Sequence, residues 1–149
     1  MLYRLNEKAL VTSADYLLDG DHTAMLIEGL EAVNKQSGME LDTDAVGKDV
    51  LSGRLRNLTV VDNEFKPIGF VLYHVSKTGY DINIGLHVIA MYMRPGYVAV
   101  TTMLLDFIKL VARSLGATKV VGISRRKGWS RRMKPDVTLQ LGIWDLSNE

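Results

Sequence analysis

Between Met91 and Ser124 the chain reads MYMRPGYVAVTTMLLDFIKLVARSLGATKVVGIS: a strand-like run, a short turn, a long amphipathic stretch and a second β-branched run. The chemistry such an arrangement offers is anion binding. The first N–H groups of a helix have no intrahelical acceptor and lie at the positive end of its dipole. The turn at Arg94 to Thr102 is therefore either a cradle for a phosphorylated ligand or only a strand-to-helix connection. A second feature of the same sign follows it. RRKGWSRRMK places six positive side chains between Arg125 and Lys134, and no acid occurs between Asp106 and Asp136. That run is either a solvated basic face or a site for an anion, a nucleotide-like cofactor or a nucleic acid. The three histidines, His22, His74 and His87, show no metal-ligand spacing. There is no P-loop, no GxGxxG after a strand, no HExxH and no EF-hand loop, so no metal is expected. With no cysteine, disulfides, thiolate metal sites and cysteine nucleophiles are excluded.

These residues must be positioned by a chain of 149 residues, 47% of them hydrophobic, the size of one ordinary domain. One domain spanning residues 1–149 is expected, with a core that needs no staples. The net charge of +1 hides a split: residues 1–65 carry six Lys/Arg against twelve Asp/Glu, residues 66–149 twelve against five. The opening MLYRLNEKAL lacks the basic and long apolar regions of a signal peptide, and no uncharged apolar run approaches the ~20 residues of a membrane helix. The expectation is a cytoplasmic protein that does not enter a membrane.

Along the chain, LYRLNEKALV suits a first strand. DGDHTAMLIEGLEAVNKQSG reads as a helix with Asp21 or Thr23 as its cap, a stripe of Met25, Leu26, Leu30 and Val33, and Gly38 as its stop. A second helix is expected in DTDAVGKDVLSGRLRN, where Val46, Val50, Leu51 and Leu55 recur at helical spacing. Strands follow at Leu58–Val61, Ile68–Val75 and Leu86–Met93, joined by hairpin turns in DNEFKP and SKTGYDIN. The next helix carries Met103, Phe107, Val111 and Leu115 four apart, with Leu104, Ile108 and Ala112 beside them and Asp106, Lys109 and Arg113 opposite. KVVGIS is a strand, GWSRRM a short helix stopped near Pro135, and VTLQLGIWDL a last strand. The predicted order is β-α-α-β-β-β-α-β-α-β, an α/β (α+β) domain with a mixed central sheet.

That order, over essentially the whole chain, resembles the GNAT superfamily of N-acetyltransferases. DNEFKPIGFVLY is similar to the family's turn and glycine-containing strand. MYMRPGYVAVTTMLLDFIKLVARSLGATKVV resembles its strand, pyrophosphate loop, long helix and following strand, and RRKGWSRRMKPDVTLQLGIWDL takes the place of its final short helix and strand. The resemblance implies an acetyl-coenzyme A site. Met91 to Met93 would face the pantetheine along a splayed strand edge, and Val98, Ala99, Val100, Thr101, Thr102 and Met103 would offer N–H groups to the pyrophosphate. Arg126 would meet a phosphate. The family's loop is usually Gln or Arg, two residues, Gly, one residue, then Gly or Ala. Here Arg94-Pro95-Gly96-Tyr97-Val98-Ala99 supplies the arginine and the last alanine, and no register supplies both glycines. The valines and threonines in those places would narrow the cradle.

For catalysis, the family places a Glu on or near the central strands and a Tyr in the final short helix. Leu86–Met93 has no carboxylate, and Met133 stands in the tyrosine's place. By the same resemblance the substitutes are His87, Tyr92 and Ser130, with His74 on the preceding strand. An amine acceptor must lose a proton before it attacks, which is the work such a base would do. Each also has a bland reading, the histidines and Tyr92 as packing residues and Ser130 as a turn cap. Three functions follow. The first is an acyltransferase acting on an unidentified small-molecule or protein amine. The second is an inactive GNAT-like scaffold, self-associating in an assembly such as a virus particle and fitting a phage-encoded origin. The third, less favoured, is nucleic-acid binding through residues 125–134. The enzyme reading expects a cleft between the strands holding Val71–Val75 and Ile89–Met93; the scaffold reading expects that cleft filled by Met91, Met93 or Tyr97.

Overall fold

The computed structural model describes residues 2–13, 20–37, 40–77, 83–122 and 135. The expected final helix and strand, with Arg126 and Ser130, lie outside them, as does Gly38. The first element is a hairpin where one strand was expected: β1 (Leu2–Asn6) pairs antiparallel with β2 (Ala9–Thr12). The turn contains no glycine or proline. Its signal is Asn6, whose side-chain oxygen accepts from the Lys8 N–H at 2.8 Å and turns the chain.

Helix α1 (Gly20–Ser37) starts early enough that Asp21 and Thr23 sit inside its first turn, where Asp21 faces the positive end of the dipole. Helix α2 (Thr43–Leu51) is capped by Asp42, whose carboxylate accepts from the N–H groups of Asp44 and Ala45. Val46, Val50 and Leu55 are buried, but Leu51, placed on the same stripe by its spacing, closes the helix 68% exposed. β3 (Arg56–Val61), β4 (Pro67–Lys77) and β5 (Ile84–Met93) form the expected antiparallel meander. A 3-10 turn (Val98–Val100) leads into α3 (Thr101–Ser114), and β6 (Lys119–Gly122) returns parallel to β5.

The sheet order is β1-β2-β3-β4-β5-β6, so β6 alone among the described strands arrives by a crossover. Apolar side chains divide between two faces. On one, Leu104, Phe107, Ile108 and Ala112 of α3 pack with Val71, Tyr73, Leu86 and Met93. On the other, Met25, Leu26 and Leu30 of α1 and Val46 and Val50 of α2 pack with Phe70, Leu72 and Ala90. The buried stripe of α3 is thus Leu104, Phe107, Ile108 and Ala112, with Val111 half-buried. Met103 and Leu115, expected inside, are 40% and 49% exposed. The helix is rotated so that its 104–108–112 line, with Phe107 beside it, lies against the sheet, while Met103 and Leu115 at the ends of the neighbouring line turn outward.

Candidate functional site

Strand β5 carries the candidate site. Opposite Leu72 and Tyr73 of β4 its partners are Ala90 and Val88, so Ile89 is an extra residue, a β-bulge. The bulge reverses the alternation of side chains. Leu86 and Val88 before it and Met91 and Met93 after it all face α3, while Ile89, Ala90 and Tyr92 face α1. Pairing with β6 covers only Gly85 to Val88, against Lys119 to Gly122. From Ile89 to Met93 no described strand pairs with that side of β5. A bulge bends its strand and increases the local twist.

This corrects the expected cleft. The strands holding Val71–Val75 and Ile89–Met93 are β4 and β5, and they are paired along their whole length, from Gly69 with Met93 to Lys77 with Ile84. The stretch against which no described strand pairs lies on the opposite side of β5. The side chains of Met91, Met93 and Tyr97 pack into the core beneath α3, so along the edge it is backbone that is presented.

The edge runs directly into the loop. The Arg94 N–H donates to the Ile68 carbonyl at 2.9 Å, and the Tyr97 N–H to the Arg94 carbonyl at 3.0 Å. With Pro95 at its second position and Gly96 at φ +92° at its third, this is a type II turn, which explains the one glycine that the loop contains. The Val100 N–H then bonds to the Tyr97 carbonyl. The N–H groups of Val98 and Ala99 meet no acceptor among the described residues. Val98, Ala99 and Thr102 are exposed, Thr101 half-buried and Val100 buried. Val100 points into the core, and Val100 and Thr101 keep ordinary helical backbone angles. Unpaired donors ahead of an exposed helix start fit a phosphate-bearing cofactor.

On the α1 face the structure builds a network that sequence reasoning missed. The Tyr92 hydroxyl donates to Glu28 Oε2 at 2.7 Å, and Arg94 donates from Nε to Oε2 at 3.1 Å and from Nη2 to Oε1 at 3.2 Å. Arg94 Nη1 also donates to the Pro67 carbonyl. The Arg94 and Tyr92 hydrogen bonds hold the Glu28 carboxyl below its usual range. Burial, and then the Glu28 carboxylate, push the Tyr92 phenol up to about 12. A phenol so held stays protonated near neutrality, and its hydrogen bond to Glu28 ties strand to helix. Glu28 lies 64 residues from Tyr92, a separation that leaves no local signal.

Beside this tie α1 presses on the sheet at Gly29, where a Cβ would run into the Phe70 ring and come within 2.9 Å of Tyr92 Cδ2. That end of the face is filled. His87 lies at the other end, on the same face but about 15 Å from Tyr92 along the strand. Its partner across the ladder is His74, the rings stacked at 5.0 Å with 16° between their planes. The structure thus brings His87 and His74 together and separates both from Tyr92. Among the described residues no cluster of three or more His, Cys, Asp or Glu could hold a metal, and no helix is long and apolar enough to cross a membrane.

A mixed sheet with a bulged strand, an N–H-lined turn and a long helix at its end is the fold of the GNAT acetyltransferases, and this chain has that fold. No family profile matches the sequence, and no curated protein matches it. Among solved structures it is similar to an aminoglycoside acetyltransferase from an uncultured soil metagenomic sample, crystallised with trehalose. The TM-score is 0.69 at 14% identity, over 95% of this chain and 97% of the other. It is also similar to a predicted acetyltransferase from Clostridium acetobutylicum solved with acetyl-CoA, with TM-score 0.67 and 13% identity over 95% and 98% of the two chains. A third is glucosamine-6-phosphate N-acetyltransferase from Arabidopsis thaliana, with TM-score 0.63 and 12% identity over 91% and 97%.

Proposed function

We propose that the protein binds acetyl-coenzyme A and transfers the acyl group to an amine. The observation that carries this reading is the continuity of one feature. The side of β5 from Ile89 to Met93, against which no described strand pairs, leads without interruption into a turn whose Val98 and Ala99 N–H groups have no described acceptor. An extended pantetheine arm can add to such an edge as a further strand would, and a pyrophosphate needs such donors. In this reading the backbone of Met91 to Met93 holds the arm, and the Val98 and Ala99 N–H groups, with the exposed Thr102 beside them, hold the phosphates. The cofactor, when bound, supplies an activated acyl thioester. Arg94 has a different role, since its guanidinium is taken up by Glu28 and Pro67 and steadies the loop from the α1 side.

The test is calorimetric titration of the chain with acetyl-coenzyme A, with Ala99→Asp as the control. An acid at a helix start is favourable to the helix, so this variant keeps its fold while repelling phosphate. Micromolar binding that Ala99→Asp weakens by tenfold or more, on the order of 1.4 kcal/mol, supports the reading. Absence of binding to the folded chain, or equal binding by the variant, overturns it.

A further inference from the structure

Two features at one edge of the molecule have no part in the cofactor site. The first is Phe65, in the turn between β3 and β4. The Asp62 N–H donates to the Lys66 carbonyl at 2.9 Å and the Phe65 N–H to the Asp62 carbonyl at 3.0 Å, which closes a three-residue hairpin loop. The Asp62 carboxylate fastens it further, accepting from the N–H groups of Glu64 and Lys66 at 2.8 and 2.9 Å. Phe65 holds the last loop position at φ +62°, a left-handed backbone that suits glycine and strains a bulky residue. Burial does not offset that strain, since Phe65 is 63% exposed and joins neither core. A strained aromatic on a fastened turn, left in solvent, points to a contact outside the single chain.

The second feature is an open groove of about 200 Å³ between β1 and α3, lined by Tyr3, Leu5, Met103, Asp106, Phe107 and Leu110. The Tyr3 and Phe107 rings lie 4.8 Å apart within it. Tyr3 and Leu110 are about half exposed, and Met103 nearly so, which makes a contiguous apolar patch. The groove and the turn are neighbours. β1, outermost of the six described strands, gives Tyr3 and Leu5 to the groove. Arg4, between them, donates to Asn63 Oδ1 in the Phe65 turn at 3.0 Å, and Asn63 Nδ2 donates to the Glu7 carbonyl at 2.9 Å.

Charge decides the kind of partner. Around the ring Arg4, Lys8 and Lys66 balance Glu7, Asp62 and Glu64, so the turn is not the cationic surface that a membrane or a nucleic acid selects. It matches the chain's own groove instead. The groove has room for one aromatic side chain and apolar walls to receive it. Beside Phe65 stands an exposed acid and cation, Glu64 and Lys66, 3.6 Å apart. At the groove stands another such pair, Asp106 and Lys109, 4.0 Å apart. Either pair can trade partners with the other when ring and groove meet.

We propose that this edge is a self-association surface, on which two copies related by a two-fold axis each place Phe65 in the other's groove. The exchange occupies both features at once and closes at two copies, whereas a one-way contact would propagate into a filament. Phe65 is the anchor, the groove its pocket, and the two charged pairs form a polar rim. The proposal does not depend on the cofactor reading.

The test is sedimentation equilibrium of the full chain from about 1 μM to 1 mM, with two variants. Phe65→Gly removes the ring and supplies the residue that the left-handed position favours, so the turn keeps its fold. Leu110→Glu puts a charge into the groove from an exposed helix position that a glutamate suits. The parent should pass from one copy to two over this range, and each variant should associate at least tenfold more weakly. An equimolar mixture of the two variants should recover part of the loss, because one retains the groove and the other the ring. A parent that stays a single copy at 1 mM, or that grows beyond two copies, overturns the proposal. So does either variant associating like the parent, or a mixture that recovers nothing.

Discussion

Glu28 shows what one side chain contributes when two others converge on it. Its carboxylate accepts from Tyr92 and twice from Arg94, but Glu28 and Arg94 are 44% and 38% exposed, so solvent screening limits the ion pair to about 1 kcal/mol. The sign of its pH dependence follows from the lowered Glu28 carboxyl. A carboxyl held below its unfolded value adds stability that is present above pH 4.5 and lost as the pH falls through the folded value. Urea midpoints of the parent and Glu28→Gln should therefore differ at pH 6 and converge toward pH 3. Gly29, next along α1, is constrained by space. Ala in its place must displace the rings of Phe70 and Tyr92, so Gly29→Ala should destabilise the fold by about 1–3 kcal/mol in denaturant titration. Neither residue was marked by its neighbours in the sequence. A glutamate and a glycine on an amphipathic helix read as surface and tolerance, and only their partners, Phe70, Tyr92 and Arg94 on the sheet and at the end of β5, give them a structural role.

Helix α3 and strand β5 are the elements on which the site depends, and they differ in how far they could be read. The helix was evident from its 3.6-residue period, yet the period allowed two adjacent stripes and the buried one is Leu104, Phe107, Ile108 and Ala112. Leu104→Ala should cost about 2–5 kcal/mol, since Leu104 is 0% exposed. Met103→Ala should cost under about 1 kcal/mol, as expected for a side chain 40% exposed beside a surface groove of about 200 Å³. Equal losses on unfolding would return the helix to the other rotation. In β5 the run LHVIAMYM alternates too weakly to betray an inserted residue, and the bulge at Ile89 is seen only once β4 supplies a register. It sends Met91 and Met93 to the α3 side and leaves Tyr92 for Glu28.

Taken whole, the molecule divides its work between the two faces of one sheet. The α3 face carries the larger core and, at the helix start, the Val98 and Ala99 N–H groups that meet no acceptor among the described residues. The α1 and α2 face carries the Glu28 tie at one end and the histidine pair at the other. A cofactor with few phosphates should bind with modest dependence on salt. Raising salt from about 50 to 200 mM should weaken acetyl-coenzyme A by roughly tenfold, where a protein gripping six to ten nucleic-acid phosphates loses about a thousandfold or more. Calorimetric titrations at the two salt concentrations check this, and a loss as steep as the second figure would return attention to residues 125–134.

The sequence by itself determined the local elements, because period and turn chemistry are short-range. The strand ahead of the turn, the helix from Thr101 and the strand after Gly116 follow from side chains within a few residues of one another. It also marked His74, His87 and the Arg94 to Thr102 turn as places where chemistry could occur. Tertiary structure alone decided how those places relate. It paired β5 with β4 on one side and β6 on the other, gave the expected Tyr92 a glutamate partner 64 residues away, and stacked His74 on His87 across a ladder. The reason is physical: register, bulges and cross-strand contacts are set by pairing between distant segments, and no short stretch of chain holds both halves of such a pair.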